Sequence, residues 1–140
     1  MFGMPSIPVI GVVLAAASAF VIGGLWYSPS LFLTPWLKMT GTTDRQMKER
    51  FGGAMGLMAV AALLTAYALA HFILYSEQVT GTYGVLGGVQ TALWAWVGVS
   101  LTTVITSSAL EARDPKLMLI TAGNRLATLL MMGVILGAFM

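Results

Sequence analysis

The chain has 140 residues, 58% of them apolar and only 9% charged, with seven Lys and Arg against five Asp and Glu and a formal charge of +2. That composition excludes a disordered chain, and the absence of cysteine excludes a disulfide scaffold, a thiolate nucleophile and any cysteine metal site. So few positive charges, nearly matched by negative ones, also exclude a basic nucleic-acid binder. What remains is a small integral membrane protein.

The first apolar run covers about residues 7–27 and holds no charged side chain. At 1.5 Å per residue, roughly twenty such residues cross a hydrocarbon layer of ~30 Å. A second run covers 51–74, with His71 near its end, a third 85–110, and a fourth 117–139 with Arg125 inside it. Continuous apolar stretches such as Ala59 to Leu64 and Leu129 to Met132 lack the alternation of a transmembrane β-barrel. The sequence therefore predicts an all-α protein: one membrane domain over residues 1–140, built as a four-transmembrane-helix bundle with short loops at 28–50 and 111–116. Thr43 followed by Gln46 fits a capping box that starts a short amphipathic helix through Arg50 into the second span. Asp114 can cap the fourth helix, with Pro115 in its first turn.

Orientation follows from the basic residues. Lys38, Arg45, Lys48 and Arg50 lie in one loop and Arg113 and Lys116 in the other, while residues 1–6, 76–84 and 140 hold none. The positive-inside rule then places both basic loops in the cytoplasm and both termini outside. Ala17-Ser18-Ala19 resembles a signal-peptidase site, but the basic start of a secretory signal is missing and the apolar run continues past it, so the first span is expected to be retained.

Small residues recur at helix-contact spacing: Gly11, Ala15, Ala19 and Gly23, then Gly52 and Gly56, Gly84 and Gly88, Gly133 and Gly137. The last pair reads equally as an intramolecular seam or a subunit contact. Trp26, Tyr27 and Trp36 are expected as interface anchors on the basic side, and Phe72, Tyr75 and Tyr83 on the other. Trp94 and Trp96 point in different directions on a helix, so at most one should face the bundle interior.

Arg125 is the sharpest polar feature, about 13 Å down the helix from Lys116. A charge at that depth is a functional-site candidate, although its side chain can also snorkel toward the interface. Asn124, Ser18, Thr102 and Thr103 are its candidate partners at similar depth. The third span is rich in hydroxyls, with Gln90 at its outer end, Thr91, Ser100, Thr102, Thr103, Thr106, Ser107 and Ser108. They read either as a polar lane toward Arg125 or as threonines bonded to their own helix one turn back. His71 is an outer-side polar group, hydrated or binding a ligand. No Asp or Glu is expected in the body of any span, which argues against an antiporter worked by a buried carboxylate. No metal site, cofactor motif, serine elbow or phosphate loop occurs, so an enzyme has little support.

The run Gly23-Gly24-Leu25-Trp26-Tyr27-Ser28-Pro29 with Phe32 and Trp36 resembles the opening of the bacterial DUF1761 membrane proteins. The likeness continues through Leu93-Trp94-Ala95-Trp96-Val97-Gly98, the turn at Glu111 to Pro115, and Gly123-Asn124-Arg125. The extended hydroxyl run and Asn124-Arg125 depart from the family pattern. The resemblance implies a four-helix protein of the bacterial cytoplasmic membrane and no particular activity. Two functions stay open: a transporter or channel-like protein for a small solute or anion, or a non-catalytic accessory subunit of a larger membrane complex. The expected partners are membrane lipids, together with either further copies of the chain or that complex.

Overall fold

The structure, a computed structural model, describes residues 7–112 and 114–140. Residues 1–6 and Arg113, which enter the count of basic residues above, lie outside the described residues. Five helices follow one another: α1 (Val9–Trp26), α2 (Leu33–Thr40), α3 (Asp44–Thr80), α4 (Gly84–Leu110) and α5 (Pro115–Phe139). Four of them, α1, α3, α4 and α5, are long and apolar enough to cross a membrane.

The helix ends are chemically specified. Thr43 caps α3 by accepting from the Gln46 N–H at 3.1 Å, and the Gln46 side chain accepts from the Thr43 N–H at 3.1 Å. Asp114 accepts from the Lys116 N–H at 2.8 Å to start α5, with Pro115 where its missing N–H costs nothing. Gly41 and Gly81 end α2 and α3 at φ +67° and +73°, a conformation that a Cβ would strain. The short helix expected before the second span is not separate. It runs without a break into the apolar stretch, so α3 is 37 residues long, about 55 Å. Thr43→Ala should cost about 1 kcal/mol at this exposed end and speed amide exchange at Gln46 about fivefold. Unchanged exchange would mean that the cap is not formed.

The apolar core sits toward the end of the bundle that carries the connection 81–83. It joins Val12, Ala15 and Ala16 of α1 to Ala66, Leu69 and Ile73 of α3, Ala92 of α4, and Leu129, Met132 and Leu136 of α5. The spaced glycines explain how close α4 and α5 come. A Cβ on Gly88 would collide with the Gly133 carbonyl, and one on Gly137 would lie 2.5 Å from the Gly84 carbonyl oxygen. Gly84, Gly88, Gly133 and Gly137 thus form one intramolecular seam. Gly23, Gly52 and Gly56, by contrast, have no neighbour within 4 Å of where a Cβ would stand.

The opposite end, which carries the basic segments, is more open. Every buried residue of α3 lies between Ala62 and Glu77, and none of residues 44–61 is buried. At this level α5 is held by α1 and α4, with a smaller contact from α2. Midway along α4, Trp96–Ser100 is wound as a π-helical turn, closed by the Leu101 N–H on the Trp96 carbonyl. Such wider turns commonly mark functional positions.

Candidate functional site

At the basic end the segments that carry the family resemblance meet. Helix α1 ends at Trp26, and the chain turns back so that the Phe32 N–H reaches the Trp26 carbonyl at 3.1 Å. The turn sets the Phe32 ring 4.8 Å from the Trp26 ring and the Trp36 ring edge-on to Tyr27 at 5.7 Å. The Trp26 indole N–H donates to the Ile120 carbonyl at 2.9 Å, and the Trp96 indole, at the start of the π turn, donates to the Ala122 carbonyl at 2.9 Å. Two indoles from different helices therefore grip α5 within a single turn. Gly123 lies beneath one of them, and a Cβ there would stand 2.8 Å from the Trp26 ring.

Beyond this grip, the Tyr27 hydroxyl sits beside the side chains of Thr121 and Asn124 and within the field of the Arg125 guanidinium. The Asn124 Oδ1 is buried and has no hydrogen-bond partner. Arg125 is exposed, and helical phase says to what. It stands four residues before Leu129, seven before Met132 and eleven before Leu136, all buried in the core. At 100° per residue these positions share one face. Arg125 thus occupies the bundle-facing side of α5, and it is exposed because the first half of α3 does not cover that level. The result is a laterally open recess that offers the guanidinium, a phenol and a carboxamide.

The other candidate residues lie elsewhere. Ser18 donates to the Ala15 carbonyl of its own helix at 2.6 Å. Thr102 and Thr103 donate to the Gly98 and Val99 carbonyls at 2.9 and 2.6 Å, supplying donors to the π turn, and Thr106 donates to Thr102 at 2.9 Å. With Ser107 these threonines line a shallow, open depression on the outside of α4. No hydrogen bond among the described residues joins them to Arg125. Trp94 is 72% exposed, whereas Trp96 turns inward. His71 Nδ1 meets the Tyr67 carbonyl at 3.0 Å, with its ring between Tyr67 and Tyr75, and Gln90 is half-buried. Among the described residues no group of three or more His, Asp or Glu side chains could hold a metal ion.

Helix α3 runs past Leu74, the expected end of the second span, to Thr80, and Glu77 lies within it, buried to 5% exposure. The signal was in the spacing, because Ala66, Ala70, Ile73 and Glu77 follow one another at intervals of four, three and four on the core-facing stripe. Thr121 and the paired indoles were missed for another reason, since their meeting depends on tertiary contacts between helices.

No curated protein and no solved structure matches the chain. A family model does: DUF1761, described as a protein of unknown function, matches residues 10–137. That range takes in both indoles, Tyr27, Asn124, Arg125 and all but the outermost residues of the four long apolar helices. The chain is a multi-pass membrane protein and belongs to the DUF1761 family.

Proposed function

We propose that the protein is a membrane transporter of a small anionic solute, with Arg125 as the contact that receives it. The observation that carries this reading is the placement of Arg125 on the bundle-facing side of α5, at the level that α3 leaves uncovered. A permanent positive charge within a membrane span needs a negative partner or water. No ion pair of Arg125 occurs among the described residues, where the salt bridges are the exposed Arg45–Glu49 and Lys48–Asp44 pairs. Tyr27 and the Asn124 amide add hydrogen-bond donors of the kind that orient a carboxylate or phosphate beside a guanidinium. The recess lies in the half of the bundle that carries the basic segments, and in this reading those segments face the cytoplasm of a bacterial inner membrane.

The test is anion-dependent stabilisation of the purified protein, followed by flux of the responding anion in proteoliposomes. Phosphate, sulfate, acetate and chloride form the panel. At about a hundredfold excess over its dissociation constant, the correct anion raises stability by about 2.7 kcal/mol. Arg125→Gln is expected to weaken that binding at least about tenfold, or about 1.4 kcal/mol. An identical response in the variant would remove Arg125 from the site.

A second reading has its own support: the first half of α3, whose glycines meet nothing, is a surface suited to another membrane helix. A non-catalytic subunit of a larger complex, or a homo-oligomer, would cover it. Native mass spectrometry of gently extracted material separates these cases by the mass that travels with the chain.

A further inference from the structure

We infer that Glu77 holds a sodium ion, exchanged with the aqueous phase at the end of the bundle away from the basic segments. Glu77 is 5% exposed, and its Oε1 is buried with no hydrogen-bond partner. Helix α4 packs on its stem through Gly87, where a Cβ would stand 3.6 Å from the Glu77 Cγ and 2.5 Å from the Thr82 carbonyl oxygen. The Glu77 stem and the Thr82 carbonyl therefore flank the same glycine of α4.

Among the described residues no ion pair compensates the carboxylate. Helices α1 and α4 carry no Lys, Arg, His, Asp or Glu, and those of α5, Lys116 and Arg125, lie in its first half, toward the basic end. On α3 itself, His71 stands six residues earlier and meets the Tyr67 carbonyl through Nδ1. Among the described side chains at this end, Tyr75 and Tyr83 are exposed and bear no positive charge. The last turn of α3 adds the negative end of a long helix dipole. A bare carboxylate in such a place is heavily disfavoured, so its counter-charge comes from solution. Oxygen ligands from a carboxylate and a backbone carbonyl suit a hard cation, and the same carboxylate accepts a proton. The site is independent of the Arg125 recess, at the other end of the molecule.

The experiment uses the full chain in proteoliposomes with dicyclohexylcarbodiimide, a hydrophobic reagent that modifies carboxyls in their protonated form, and reads the modified residue by peptide mass. Glu77 should be labelled at mildly acidic pH without sodium, and Glu77→Gln should lose that label. Sodium chloride but not choline chloride protects Glu77 at fixed pH, and that pattern supports the site. Labelling of Glu77 that sodium leaves unchanged, or no labelling of Glu77 under any of these conditions, overturns it.

Discussion

Gly88→Val is expected to destabilise the protein by about 3 kcal/mol or more and to part α4 from α5. The first atom of the new side chain falls on the Gly133 carbonyl, and backbone cannot rotate aside as a side chain can. Gly133 is held to the same tolerance, since its own Cβ would stand 2.5 Å from the Gly88 carbonyl oxygen. Inside a membrane, helix association rests on close packing rather than on expulsion of water, so loss of the seam removes much of what joins the two helices. Unfolding of the purified protein by rising denaturing detergent measures the loss. Gly52→Ala is the control: its Cβ enters open space in a helix interior, and it should be neutral or stabilising by up to about 1 kcal/mol. Equal losses in the two variants would mean that the seam does not exist in the folded protein.

Trp26→Ala ranks beside it, with an expected loss of about 3 kcal/mol. Its ring covers Gly123, stacks on Phe32 and donates to the Ile120 carbonyl, so truncation empties the junction between α1, the following turn and α5. Trp26→Phe keeps most of the area and loses only the indole hydrogen bond, a change of about 1 kcal/mol. Trp94→Ala, at a ring turned out of the bundle, should change stability little. Detergent unfolding of the three variants gives the order. A Trp26→Phe loss as large as that of Trp26→Ala would shift the weight from packing to the hydrogen bond.

What could be read from the residues follows from how far each kind of signal reaches. Hydrophobic length is local, and four spans were visible in it; capping is local too, and the Thr43–Gln46 box and the Asp114 cap are both formed. The spacing of Gly84, Gly88, Gly133 and Gly137 showed that they would contact something, but not that they would meet each other, because a stripe does not name its partner. Hydropathy ended the second apolar run at Leu74, before the helix itself ends at Thr80. A single carboxylate lowers an average without breaking a helix, so Glu77 was assigned to a connection although its spacing continued the core stripe. The recess at Arg125 was out of reach for a different reason. Its openness depends on where α3 stops packing, and residues 51–61 are as apolar as the part of α3 that is buried.

The π turn at Trp96–Ser100 carries a consequence for how such a protein can change over evolution. A π turn accommodates one residue more than an α-helical turn, so deleting one residue there rewinds the turn as α-helix and leaves the segments on either side facing as before. The seam glycines would stay on α5, and Thr102, Thr103 and Thr106 would stay on the outside of α4. The same deletion in a regular stretch of α4 would turn one half against the other by about 100°, so the π turn is the place where this helix can lose a residue and keep both of its surfaces.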